Sequence, residues 1–150
     1  MMISPAVATV AHGAVLWAWH MPRFYQLTLE SIGWHRFEHL SFAFTAMLFW
    51  WSLARGGQQG VKVACLFVTT LHSSLLGLLL TLSPRLWYPA QSALAADWGL
   101  TPLQDQQLAG LVMWVPMGAI YTVAALWVAA RWIGGASRAG QIRGGSAASL

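Results

Sequence analysis

The sequence predicts an all-α membrane protein, a bundle of four transmembrane helices, and three observations predict it. Hydrophobic residues make up 57% of the 150 residues and charged ones only 8%, against roughly 45–50% and 25% in a soluble domain. Eight basic and four acidic groups cannot cover a soluble fold of this size with solvated charge. Ten tryptophans supply amphipathic rings of the kind that gather at bilayer interfaces. The apolar residues also form continuous runs rather than alternating ones. This favours helices, because a lone span must satisfy its own backbone.

A span needs about 20 residues, and four runs approach that length. The first covers 3–21 and stops at Pro22. No Lys or Arg precedes Arg23, so the basic n-region of a cleaved signal peptide is missing and this run is expected to remain as a span. The second covers 37–53, and the third covers 61–82 and ends at Ser83-Pro84. The fourth, 105–133, is long enough to tilt or to begin with a polar turn at the interface. Gly56-Gly57-Gln58-Gln59-Gly60 reads as a turn between spans two and three, and 22–37 and 83–104 read as loops. The Gly/Ala/Ser-rich stretch 134–150 is expected to be a disordered tail following a transmembrane domain of residues 1–133.

Basic residues set the orientation. Arg55, Lys62, Arg131, Arg138 and Arg143 fall on the side of both termini. Arg23, Arg36 and Arg85 fall on the other, with all four acids: Glu30, Glu38, Asp97 and Asp105. The bias places both termini in the cytoplasm of a multi-pass protein whose longer loops face outward.

Several function classes are excluded. The net charge of +4 is scattered singly between apolar runs, so no patch suited to nucleic acid forms. A single cysteine, Cys65, excludes an intramolecular disulfide and a CxxC redox or zinc pair. There is no phosphate-cradling loop, no HExxH and no nucleophile elbow, and the chain reads as non-enzymatic. Gly77 and Gly118 read as close helix contacts.

The informative residues are polar groups within or at the ends of the spans. His20 closes span one, His39 opens span two after Glu38, and Asp105 opens span four. His12, Met47 and Met113 lie eight residues deeper than His20, His39 and Asp105 respectively, about 12 Å at the helical rise. His72 lies at similar depth, eleven residues before Ser83. Two levels result: His20, Glu38, His39 and Asp105 outside, with His12, Met47, His72 and Met113 within. Imidazole with carboxylate suits Cu(II) or Zn(II), and imidazole with thioether suits Cu(I). Against this, a lone interfacial histidine is more often a headgroup contact than a ligand, and methionine is a common filler of apolar helices. His35 reads as a solvated loop residue. His12 and His72 each need a partner inside the membrane, and His12 is the expected partner of His72, directly or through a metal or water.

The outward motifs resemble the CtaG family of assembly factors for caa3-type cytochrome c oxidase. The resemblance rests on Trp19-His20-Met21-Pro22 with Tyr25, on Phe37-Glu38-His39-Leu40-Ser41-Phe42, and on Phe49-Trp50-Trp51. It continues in Thr101-Pro102-Leu103-Gln104-Asp105-Gln106-Gln107-Leu108-Ala109-Gly110, which runs into Met113-Trp114-Val115-Pro116. The resemblance covers roughly residues 5–133 and implies a multi-pass protein of the bacterial inner membrane. It implies oxidase subunits as partners within the lipid bilayer, and copper as the ion supplied to them. Self-association into a homo-oligomer is a further expectation. Trp87-Tyr88 corresponds to a similar aromatic pair in the family and reads as an interface anchor. Relatives usually carry further N-terminal spans with a His-Met-x-x-His element, and nothing in this sequence matches it. The metal candidates are therefore His20, His39 and Asp105 first, then His12, His72 and Met113. Two other classes compete: a b-type cytochrome with haem held by His12 and His72, and a small transporter or channel subunit whose histidines relay protons.

Overall fold

The computed structural model describes residues 3–55 and 58–147, with side chains for 3–55, 58–90 and 95–135. Local chemistry accounts for each boundary. Ser4 caps α1 (Pro5–Trp19): its Oγ accepts from the Val7 N–H at 3.3 Å, and Pro5 takes the first helical position, where its missing donor is not needed. Pro22 ends α1 by holding Met21 extended (φ −68, ψ 133), and it opens α2 (Pro22–Glu30). One extended residue, Ser31, separates α2 from α3 (Ile32–Arg55). α4 covers Gln59–Leu82, and a 3-10 helix (Gln91–Trp98) precedes α5 (Pro102–Ala147). At the start of α5, Thr101 and Gln104 form a reciprocal cap. Thr101 Oγ1 accepts from the Gln104 N–H at 3.3 Å, while Gln104 Oε1 accepts from the Thr101 N–H at 2.9 Å.

The fold is all-α, with no strand among the described residues. Two helices, α4 and residues Pro102–Gly135 of α5, are long and apolar enough to cross a membrane. The four-span expectation holds for these alone. α1 has 15 residues, about 22 Å of helix, short of the ~30 Å hydrocarbon layer. α3 has 24 residues, but His35, Arg36, Glu38 and His39 occupy its first turns.

Two boundaries differ from expectation. Residues 22–37 are not a loop. Pro22 pre-sets the first turn of a short amphipathic helix, and α3 then starts at Ile32; a search for span-length apolar runs passes over both. α5 continues past residue 133 to Ala147, with no proline after Pro116 to break it. Gly56 and Gly57 of the expected turn lie outside the described residues.

α1 packs against α3 and α4, α2 against α3, and α4 along α5. Ala8, Phe49, Leu53, Cys65, Leu66 and Tyr121 form the buried apolar centre. α4 and α5 come close at Gly110: a Cβ there would lie 2.9 Å from the Gly77 carbonyl oxygen and 2.6 Å from Thr81 Oγ1. Gly77 is thus a close contact, as expected, but its partners are Gly110 and Trp114, while Gly118 has only an ordinary contact with Ser74. Outward faces are apolar, with Val10, Phe67, Leu71, Val112 and Val123 exposed. Only 6% of the most apolar part of α5 is buried. A soluble core helix would be covered by protein, whereas an uncovered apolar helix suits lipid.

Candidate functional site

At the start of α3, the spacing i, i+3, i+4 puts His35, Glu38 and His39 on one face. Their donor atoms all lie within 4.8 Å of one another. Glu38 Oε2 is 3.8 Å from Nδ1 of each histidine, and the two rings are 4.5 Å apart. The carboxylate is buried (6% exposed) while both imidazoles reach outward. His39 Nδ1–H donates to the His35 carbonyl at 3.1 Å, because a carbonyl can only accept. Its Nε2 therefore carries the lone pair that a metal would need, and since Nδ1 is the atom beside Glu38, the exposed ring must turn to bring Nε2 to a shared ion.

Two imidazoles and a carboxylate suit Cu(II) or Zn(II). Donor bonds of about 2.0–2.2 Å require the three atoms to close slightly, which rotation of the two exposed rings can supply. Three protein donors leave coordination positions open.

His20 lies beside this cluster but is not one of the three. At the end of α1 its Nδ1–H donates to the Leu16 carbonyl at 2.7 Å, again freeing Nε2. Its ring and that of His39 both neighbour Phe42, at 6.2 and 6.5 Å. Burial holds the His20 pKa below the usual imidazole value, opposed by the Leu16 hydrogen bond and by Glu38. Tyr25 lies within the electrostatic reach of both Glu38 and Asp105, and burial, followed by these two carboxylates, raises its pKa. Asp105 therefore belongs to the same end of the molecule without joining the donor cluster.

The loop after α4 is fastened to this end. The Tyr88 hydroxyl donates to the His20 carbonyl at 2.6 Å, and its ring is 4.4 Å from that of Tyr25. Burial, then the neighbouring Tyr25, pushes the Tyr88 pKa up to about 12. Tyr88 is a buried fastening rather than the expected interface anchor. Gln106 Oε1 accepts from the Trp87 N–H at 2.6 Å, Gln106 Nε2 donates to the Arg85 carbonyl, and Gln107 Nε2 donates to the Ser83 carbonyl. The Gln-Gln pair after Asp105 therefore positions a loop.

The inner level assembles differently from the expectation. His12, 4% exposed, has Thr45 Oγ1 at 3.0 Å from Nδ1 and the Tyr121 hydroxyl at 3.4 Å from Nε2, with Phe49 stacked at 6.0 Å. Thr45 donates its own proton to the Ser41 carbonyl at 2.8 Å, so it accepts from His12 Nδ1–H, and His12 Nε2 accepts from Tyr121. His72 is not the hydrogen-bond partner. Its ring lies over Gly13, where a Cβ would be 3.2 Å from Nε2, and both its nitrogens are buried without a partner among the described residues. His72 thus faces protein, as expected of a membrane imidazole, but His12 has its nitrogens committed elsewhere. Met113 is half-buried, and Met47, 59% exposed, points away from the interior. A soft site combining Met47 with His12 is therefore not formed, because Met47 lies on the opposite face of α3 from Thr45 and Phe49.

Sequence reasoning missed Thr45 and Tyr121, and the roles of His35, Tyr88 and the glutamines. The His-x-x-Glu-His spacing was a usable signal for His35, once residues 32–37 are taken as helix. The others act through contacts between distant segments.

Residues 1–134 match the family model for the cytochrome c oxidase caa3 assembly factor, Caa3_CtaG. No curated protein and no solved structure matches the chain.

Proposed function

The chain belongs to the family of caa3-type cytochrome c oxidase assembly factors, and from that premise we propose that it serves as a non-catalytic copper-handing factor in the bacterial inner membrane. The observation that carries this reading is the gathering of His35, Glu38 and His39 donors within 4.8 Å. Copper is the cargo: the two imidazoles and the Glu38 carboxylate hold it, and the open coordination positions let a ligand of the oxidase displace them stepwise. His20, with Nε2 free, supplies a neighbouring donor during exchange. Both termini face the cytoplasm by the charge bias, so the cluster meets ions on the outer side. The aromatic end around Tyr25 and Tyr88 supports docking of oxidase subunits.

Cells carrying His35→Ala, His39→Ala, His20→Ala or Asp105→Asn test this. The two His variants of the cluster should lower caa3 oxidase activity while the protein stays in the membrane, and added copper should restore much of it, since higher ion concentration offsets weaker binding. His20→Ala should show a milder loss of the same kind. Asp105→Asn, outside the donor cluster, should lose less and respond less to copper. Normal activity in both cluster variants would remove copper handling from this site, and a loss insensitive to copper would point to docking instead.

A further inference from the structure

Far along α3 from the histidines, a cavity of about 480 Å³ opens between α3, α4 and α5. Its walls are apolar, formed by Leu53, Leu66 and Val128 with the ring of Trp127, and its rim carries Lys62 and Arg131. The Arg131 guanidinium sits 4.9 Å over the Trp127 ring, which orients it beside the opening. No carboxylate lines the cavity. The four acids of the chain, Glu30, Glu38, Asp97 and Asp105, lie in or near the segments that join the helices at the other end. The two cations are therefore set over an apolar slot with no acid of the cavity to neutralise them.

Their height in the fold matters as much as their charge. Lys62 lies three residues from Gln59, where the membrane-length helix α4 begins, and Arg131 four residues before Gly135, where the membrane-length part of α5 ends. Both belong to the layer where a spanning helix meets lipid headgroups. A phosphate at the rim with a hydrocarbon chain below it matches both halves of the cavity, and basic pockets between membrane helices are suited to such headgroups. We infer that this cavity binds one anionic phospholipid, its phosphate between Lys62 and Arg131 and an acyl chain along Leu53, Leu66 and Val128. This site is independent of the copper reading.

Native mass spectrometry of the full chain in detergent, with phosphatidylglycerol and phosphatidylcholine offered together, tests the assignment. The wild-type protein should retain one phosphatidylglycerol with a preference of about 30-fold, the scale set by two cations at a membrane surface. Lys62→Gln with Arg131→Gln should reduce that preference to near unity, whereas Lys62→Arg with Arg131→Lys should keep it. Ala54→Trp, which fills the slot from an exposed position on its lining, should lower retention of both lipids. Arg85→Gln, at the other end, should change nothing. An unchanged preference in the double Gln variant would overturn the proposal. So would full displacement of the lipid by millimolar inorganic phosphate, which would mark a site for a free anion.

Discussion

Tyr88 donates its hydroxyl to the backbone carbonyl of His20 across 2.6 Å, joining positions 68 residues apart in the chain. This bond fixes the end of α1 to the loop that follows α4, and so holds His20 near Phe42 and the α3 cluster. The glutamines at 106 and 107 hold the same loop from the α5 side. This end of the molecule is thus braced from three helices.

Tyr88→Phe should cost about 1 kcal/mol, the net worth of a buried hydrogen bond. Its pH dependence is distinctive. The Tyr88 pKa is about 12 in the fold against 10 unfolded, so the unfolded chain loses a proton first. Wild-type stability should fall as pH rises through 10 toward 12. Melting curves in detergent should show a shallower alkaline decline for Tyr88→Phe. An identical decline in both proteins would deny Tyr88 this role.

Gly110→Ala should open the α4–α5 contact. Its Cβ would meet backbone atoms of Gly77 and Thr81, both at 2.9 Å, which cannot rotate away. A loss of about 1–3 kcal/mol is expected for such overpacking, read as a lower melting temperature. Gly118→Ala, whose Cβ would be 3.7 Å from Ser74 Oγ, should be near neutral.

The His12 site makes an asymmetric pair. Thr45→Val leaves the buried His12 Nδ1–H without an acceptor, costing about 1–3 kcal/mol. Tyr121→Phe removes only the longer 3.4 Å contact and should cost about 0.5–1.5 kcal/mol. A larger cost for Tyr121→Phe than for Thr45→Val would mean that the proton sits on Nε2 instead.

The helical class was legible because composition and continuous apolar runs depend on no tertiary contact. Pro22 and Ser83-Pro84 marked helix ends for the same local reason. The short helix α2 was not, since nine residues cannot register against a span-length template. Within the site, the placement of His20, His39 and Asp105 at one end of the helices could be read from spacing. Their grouping could not, because Asp105 comes from another helix and stays outside the donor set, while His35 enters it only once α3 starts at Ile32. The direct hydrogen-bond partners of His12 were hidden for a related reason. Depth along a helix carries no information about azimuth, and Thr45 and Tyr121 hold the facing positions.

Electron paramagnetic resonance of the purified chain titrated with Cu(II) reads the copper site proposed at His35, Glu38 and His39. One equivalent should bind with hyperfine splitting from two imidazole nitrogens, and His35→Ala with His39→Ala should abolish that signal while the protein stays folded. Glu38→Gln should weaken binding and keep the nitrogen pattern. The same nitrogen signal at one equivalent in the double His variant would contradict the account.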